Sequence, residues 1–166
     1  MIDPIEAAKL RAQEFANRRR LKLGDVVGYG ADGVVIATSV HTVVKSLKYK
    51  ELYAKELAVY RRLEKLGFDS VCGFNVPKLI SNHDELLIIE IEFVTPPFIV
   101  DFASAGVDAD PLSKFDADQQ RETIEEWSAL FGSHWPKVRS LYWTLKSHGI
   151  FLADLNTRNI VVDGVR

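Results

Sequence analysis

The chain has 166 residues, of which 47% are hydrophobic and 27% charged, and its formal net charge is -2. Its length fits one domain, or two small lobes that share a cleft. The near-zero charge argues against a nucleic-acid or membrane-surface partner. The single cysteine, Cys72, excludes an internal disulfide, and no stretch reaches the roughly 18 apolar residues of a membrane span. We therefore expect a globular cytoplasmic protein.

The first predicted element is a helix over residues 1–20. Asp3 can cap this helix, Pro4 suits its first turn, and Arg18 to Arg20 lie where the helix dipole favours cations. From residue 21 to residue 47 glycines and β-branched residues dominate instead. This change predicts two or three antiparallel strands.

A second helix is predicted from Glu51 to Leu66, where Gly67 provides a stop signal. Two further strands, 77–80 and 86–94, are predicted on either side of a turn at 81–84. These elements and the first strands form a predicted first lobe over residues 21–94.

The remaining residues, 95–166, are predicted to form a smaller and mostly helical lobe. A linker runs to about Lys114, and helical spacing of apolar residues then continues to Gly149. The tail, 150–162, has two short apolar runs around a polar loop at 154–159.

The stretch Gly28-Tyr29-Gly30-Ala31-Asp32-Gly33-Val34-Val35 fits the pattern G-x-G-x-x-G-x-V. Two unrelated phosphate sites use glycines at this spacing, and the Rossmann version is followed by a helix. Here the glycines precede residues 34–38, which are strand formers. This favours a glycine-rich hairpin with its backbone N–H groups over phosphates. The alternative is a plain tight hairpin that needs glycine for positive φ.

Lys45 lies between Val43 and Leu47 on one face of the predicted third strand. A lysine in this position either protects an edge strand from pairing or is a buried cation with a partner.

Glu56 offers that partner, because it falls within an apolar stripe of the second helix. The stripe consists of Leu52, Glu56, Val59, Leu63 and Leu66. A carboxylate facing the core is costly unless it is paired, and Lys45 also faces inward. We therefore predict an ion pair between Lys45 and Glu56. A buried structural pair is one interpretation, and the neighbouring glycine-rich hairpin favours phosphate binding instead.

The last polar loop holds Asp154 and Asn159, which can present a carboxylate and an amide to one site. An ordinary polar turn is the alternative, since both residue types favour turns.

In this order the glycine-rich loop, strand lysine, helix glutamate and D-x-x-x-x-N loop resemble the protein-kinase superfamily. The resemblance covers residues 23–162. It implies an α+β fold with an N-terminal antiparallel sheet plus one helix, and a small, mostly helical C-terminal lobe that ends just after the catalytic loop.

The resemblance also implies that the chain binds ATP and Mg²⁺. Gly28, Gly30 and Gly33 would cover the phosphates, Val35 would pack on the adenine, and Lys45, oriented by Glu56, would hold the α- and β-phosphates. Backbone groups of Glu92 and Val94 would bond the adenine edge. Asp154 would accept the proton of the substrate hydroxyl, and Asn159 would bind one Mg²⁺.

The chain departs from the family pattern in three places. Leu152-Ala153 stands where His and Arg usually precede the aspartate, and Asn156-Thr157 stands where a lysine or proline usually follows it. No D-F-G follows Asn159 within the 166 residues. Asp163 is a conceivable substitute, but four extended residues span roughly 13 Å, which predicts that it lies at a turn away from the metal.

Three functions fit these observations. The first is a compact kinase-like phosphotransferase that acts on a hydroxyl of a protein or a small molecule. The second is a catalytically weak nucleotide-binding or scaffold module, of the pseudokinase type. The third keeps catalysis, with a partner chain or a second copy of this chain completing the C-terminal lobe and supplying the missing metal ligand.

Overall fold

The chain forms two units in the computed structural model, which describes residues 1–163. Met1–Arg61 and Pro77–Phe93 make the first unit, whereas Arg62–Val76 and the chain from Val94 onward make the second. The fold is α+β with mainly antiparallel strand pairs, which confirms the predicted class. Unlike the predicted first lobe, the first unit includes the N-terminal helix and excludes Arg62–Val76.

The helices follow the predicted periodicity closely. Their bounds are α1 Pro4–Arg19, α2 Lys50–Leu66, α3 Ala117–Phe131 and α4 Trp135–Ser147. Helix α1 begins at the predicted cap, where the Asp3 carboxylate accepts a hydrogen bond from the Ile5 N–H at 3.4 Å. Among residues 1–163 no helix is both long and apolar enough to cross a membrane.

A five-stranded antiparallel sheet organises the first unit, in the order β1-β2-β3-β7-β6. Its strands are β1 Leu23–Tyr29, β2 Gly33–Thr38, β3 Thr42–Leu47, β6 Leu79–His83 and β7 Ile88–Glu92. The strands between β3 and β6 in the sequence are β4 Ser70–Val71 and β5 Phe74–Asn75, and both belong to the second unit.

The register of the sheet aligns one residue from each strand in a single row. The row runs through Gly28, Val35, Lys45, Ile89 and Asn82. Because direct cross-strand partners share a face of the sheet, these side chains stand on the same side. We call this set the Lys45 row.

Helix α1 covers the other face. Its buried residues pack with apolar side chains of the sheet in one cluster, made of Ala8, Ala12, Phe15, Val34, Ile36, Val44, Leu86 and Ile88. Every residue of β3 is buried, and this strand has a neighbouring strand on each side in the sheet.

The second unit combines short strand pairs with α3 and α4. Its further strands are β8 Ile99–Val100, β9 Gly106–Val107, β10 Ile150–Phe151 and β11 Ile160–Val161. They form a four-stranded sheet, β11-β8-β5-β4, and a separate β10-β9 pair. The inner face of α4 carries Val138, Leu141, Tyr142 and Leu145, as the helical spacing predicts.

Three local predictions are wrong. The turn predicted at 81–84 lies at 84–87, because Ser81, Asn82 and His83 continue strand β6. The predicted linker contains β8, β9 and a 3₁₀ turn at Pro111–Lys114. Leu66 is exposed, so the buried stripe of α2 ends at Leu63.

Candidate functional site

Lys45 and Glu56 form a buried ion pair in the first unit. Lys45 is 5% exposed and Glu56 is 3% exposed, so both charged groups are removed from bulk water. The ring of Tyr60 lies near the lysine, with its centroid 5.9 Å from Lys45 Nζ. The predicted pairing is therefore confirmed as a contact.

The edge-strand interpretation of Lys45 is excluded by the sheet order. Strand β3 is central, with β2 on one side and β7 on the other. A lysine that protects an edge from pairing has no purpose there. A cation buried in this position is costly unless it is paired, as Lys45 is with Glu56. Buried charged groups with a specific partner cluster at functional sites, so we take Lys45 as the centre of the candidate site.

The glycines of the hairpin are not explained by backbone conformation. Gly28, Gly30 and Gly33 all lie outside the positive-φ region, so the plain-turn alternative does not account for them. Gly33 is required by packing, because an added Cβ would lie 2.1 Å from the Ser46 carbonyl oxygen. At Gly30 an added Cβ would meet nothing within 4 Å, and at Gly28 it would make only ordinary contacts with Val35.

A lysine that the sequence analysis did not single out fastens the turn of this hairpin. The backbone N–H of Lys48 donates to the Asp32 carbonyl at 2.9 Å, and its Nζ donates to the Gly30 carbonyl at 2.8 Å. The turn itself closes through the Gly30 N–H and the Gly33 carbonyl, 3.0 Å apart. The sequence signal for Lys48 is weak, since it is one of several lysines after β3.

The predicted adenine contacts have mixed support. Val35 is half-buried and lies beside Lys45 in the Lys45 row, as a packing surface requires. At the end of β7, however, the Glu92 N–H donates to the Lys78 carbonyl at 2.9 Å. That N–H is therefore used within the sheet. Val94, the other predicted contact, belongs to the second unit.

Glu90 is a second buried carboxylate that the sequence analysis did not interpret. It is 1% exposed and accepts hydrogen bonds from Thr42 at 2.8 Å, Ser81 at 2.7 Å and Arg19 at 3.2 Å. Three donors satisfy much of the hydrogen-bonding capacity that a buried carboxylate loses on leaving water. Its position between Ile89 and Ile91 in an otherwise apolar strand could have indicated from the sequence that this carboxylate is buried.

In the second unit, the predicted catalytic loop is built around Asn156. Its Oδ1 accepts from the backbone N–H groups of Arg158 at 2.9 Å and Asn159 at 3.0 Å, and its Nδ2 donates to Asp154 Oδ2 at 3.0 Å. Asn159 Nδ2 donates to the Asp154 carbonyl at 3.2 Å. The structure therefore brings Asp154 and Asn159 together, as the five-residue spacing predicts.

Buried apolar residues hold both ends of this loop. Leu152, Leu155 and Ile160 are each at most 6% exposed, while Asp154 between them is exposed. The carbonyl of Asn159 accepts from the Asp101 N–H at 2.7 Å, next to the β8–β11 pair. The loop thus presents a carboxylate to solvent from a fixed backbone.

Neither a scan against protein-family models nor searches of curated proteins and of solved structures found a match to this chain.

The side chains of Asp154 and Asn159 in the polar loop carry oxygen atoms that a metal ion could bind. The hydrogen bond from Asn159 Nδ2 turns the amide oxygen away from the Asp154 carbonyl, and amide and carboxylate oxygens are ligands that suit Mg²⁺. Asp163 lies at an exposed bend after β11, and Gly164 lies outside the described residues. Within residues 1–163 no group of three or more His, Cys, Asp and Glu side chains could hold a metal ion.

Proposed function

We propose that this chain is an ATP-binding, kinase-like phosphotransferase that uses Mg²⁺ and transfers the γ-phosphate to a hydroxyl of a protein or a small molecule. The observation that carries the proposal is the buried Lys45–Glu56 ion pair on the central strand that follows the glycine-rich hairpin. Kinases hold ATP with a lysine on the third strand, paired to a glutamate on the next helix.

The ion pair has a physical role in this proposal. A lysine ammonium is a compact point charge on a flexible stem, so it needs a fixed partner to hold it in one place. Glu56 supplies that partner from α2. In the proposal the ammonium held in this way meets phosphate oxygens, whose negative charge it would offset.

Gly28 and Gly30 support the same ligand. Neither has a conformation or a neighbour that requires glycine, so the fold alone does not explain them. A missing side chain matters where another group must approach the backbone closely, as a phosphate above the hairpin would, although the Gly30 N–H itself closes the turn. The open space beyond Gly30 fits such an approach.

Asp154 and Asn159 provide the proposed chemistry of the second unit. Asp154 is exposed and held by Asn156, so its carboxylate can accept a proton from a hydroxyl that comes within hydrogen-bond reach. Asn159 would hold Mg²⁺, which when bound offsets negative charge on the phosphates.

Calorimetric titration with ATP, with and without Mg²⁺, tests the binding part of the proposal. The informative variant is the double change Lys45→Met with Glu56→Gln, because it removes both charges and leaves no unpaired buried ion. We expect wild type to bind ATP more tightly than adenosine, and the double variant to lose that difference. Absence of ATP binding in wild type, or equal ATP affinity in the double variant, would refute the proposal.

Phosphorus NMR of ATP incubated with the protein and Mg²⁺ tests the transfer part. We expect slow conversion of ATP to ADP and inorganic phosphate in wild type, with water as the phosphate acceptor, and Asp154→Asn should abolish it while leaving ATP affinity unchanged. Tight ATP binding with no conversion in wild type would instead support the nucleotide-binding module.

A further inference from the structure

Tyr53 joins helix α2 to the turn between β6 and β7. Its hydroxyl donates to Asp84 Oδ1 at 2.5 Å and accepts from Asn82 Nδ2 at 2.9 Å. Asn82 Nδ2 also donates to Asp84 Oδ1 at 3.0 Å, which closes the triangle. All three residues belong to the first unit.

This triangle shares helix α2 with Glu56 and shares a face of the sheet with Lys45. Tyr53 is three residues before Glu56, so the two side chains share one face of α2, and they are 4% and 3% exposed. Asn82 belongs to the Lys45 row, with Ile89 between Asn82 and Lys45. Helix α2 is therefore attached to this face of the sheet by a charged pair and, one turn earlier, by the hydroxyl triangle.

The two attachments respond differently to a bound phosphate. The ion pair shares its lysine with the ligand, so the pull of Glu56 on the sheet weakens when Lys45 turns toward phosphate oxygens. The bond from Tyr53 to Asp84 does not involve that lysine and stays intact. We propose that Tyr53, held by Asp84, is the positioning residue that keeps Glu56 within reach of Lys45; this inference rests on the proposed function.

Burial and hydrogen bonding keep the Tyr53 hydroxyl protonated, so that it remains a hydrogen-bond donor. Burial, together with the hydrogen bond to Asp84, raises the pKa of Tyr53 to about 12. The hydroxyl thus keeps its proton throughout the neutral range. Its removal leaves no orphaned partner, because Asn82 and Asp84 remain bonded to each other.

Two variants that break the same contact test the proposal, together with one that preserves it. Tyr53→Phe removes the donor and Asp84→Ala the acceptor, while Asp84→Asn keeps an acceptor oxygen. We expect the first two to weaken ATP binding about 2- to 10-fold, the loss of one hydrogen bond, with unchanged affinity for adenosine. Asp84→Asn should bind ATP like wild type, and combining Tyr53→Phe with Asp84→Ala should add no further loss.

A second readout separates this inference from the proposed function. The rate of acetylation of Lys45 by acetic anhydride, followed by peptide mass spectrometry, requires no nucleotide. We expect faster labelling in Tyr53→Phe and Asp84→Ala, because a displaced Glu56 exposes the ammonium. Tyr142→Phe is the matched control: it removes another buried tyrosine hydroxyl, from α4, and should leave Lys45 labelling and ATP affinity unchanged.

The outcomes are distinguishable. If wild type fails to bind ATP, the proposed function fails, and the labelling rates still decide whether Tyr53 positions Glu56. Unchanged labelling in both Tyr53→Phe and Asp84→Ala would overturn the inference. So would an equal loss of ATP and adenosine affinity in these variants, which indicates general loosening of the fold.

Discussion

Val35 and Lys45 lie directly opposite each other on the antiparallel strands β2 and β3. The pairing places an apolar side chain beside the stem of the buried lysine, on the face where Glu56 meets Lys45. A shift of one residue in this register would place Val35 and Lys45 on opposite faces of the sheet. The predicted adenine-packing and phosphate-binding positions are therefore fixed together by the hydrogen bonds of one strand pair.

Alanine substitutions in the hairpin should separate glycines required by the fold from those required by a ligand. Gly33→Ala brings a Cβ against the Ser46 carbonyl and should destabilise the protein by about 3 kcal/mol or more in urea unfolding. Gly30→Ala has open space and should leave stability unchanged while weakening ATP binding. Gly24→Ala, in the same strand as Gly28 but outside the motif, serves as the control. Unchanged ATP affinity in Gly30→Ala would argue against phosphate above the hairpin.

Breaking the ion pair should cost more stability than removing it. Lys45→Met leaves the Glu56 carboxylate buried without its cation and should lower the free energy of unfolding by about 3–5 kcal/mol. Adding Glu56→Gln should recover most of that loss, because the carboxylate left without its cation is then removed as well. Urea unfolding at neutral pH measures both. A double variant no more stable than the single one would show that the charge itself is not the source of the cost.

The polar loop of the second unit should loosen when Asn156 loses its side-chain oxygen. Asn156→Ala removes the acceptor of the Arg158 and Asn159 N–H groups, so we expect their hydrogen exchange to accelerate about tenfold. Asn156→Asp keeps the acceptor but loses the Nδ2 donor to Asp154 and places a second carboxylate beside it, so we expect exchange faster than in wild type and slower than in Asn156→Ala. Equal rates in all three proteins would mean that the apolar residues alone fix the loop.

Two tyrosines should titrate late at high pH. Burial raises the pKa of Tyr53 and of Tyr142 to about 12, with Asp84 and Asp110 respectively as further causes. A raised folded-state pKa favours the neutral hydroxyl, so this contribution to stability is complete below the ordinary value of 10.0 and is lost as pH rises toward 12. Tyrosinate absorbance at 295 nm should show the late titration, and Tyr53→Phe and Tyr142→Phe should each remove one late group.

Asp108 in the second unit shows a pKa shift in the other direction, so its contribution to stability is lost at acid pH. The Arg62 guanidinium, bonded to Asp108 at 2.8 Å and 3.1 Å, lowers the pKa of that carboxyl from 3.8. Its contribution to stability is therefore present above pH 3.8 and is lost as pH falls through the folded-state pKa.

Asp108→Asn should accordingly lower the Tm at pH 7 and converge with wild type below the folded-state pKa. Asp118→Asn breaks an exposed i,i+3 pair with Arg121 and should change the Tm very little. Thermal unfolding across this pH range measures both. A Tm gap for Asp108→Asn that is independent of pH would exclude the ion pair as its cause.

The spacing of apolar residues and the energetic cost of burying an unpaired charge were enough to predict several features. The apolar spacing of α4 fixed its buried face, and the cap at Asp3 fixed the start of α1. The ion pair was predictable because a carboxylate within the apolar stripe of α2 had to find a cation. These features depend on local sequence pattern or on the large energetic penalty of an unpaired buried charge.

Other features depend on distant neighbours and were not predictable. Ser81 and Asn82 are turn formers, yet both lie in β6, because their side chains bond Glu90 and Tyr53 there. Tertiary hydrogen bonds thus override local preference. The role of Asn156 in the polar loop was also missed, although its bonds to the N–H groups of Arg158 and Asn159 are local and of the kind that asparagine makes in turns. The roles proposed for the site residues stay predictions.

The helix that covers the second face of the sheet has a practical consequence. A fragment beginning at Leu21 would expose the apolar side chains that Ala8, Ala12 and Phe15 cover. A broad sheet face of this kind, exposed beside open edge strands, promotes self-association. Fragments made to isolate the ATP site should therefore retain α1, since without it aggregation would compete with every binding measurement.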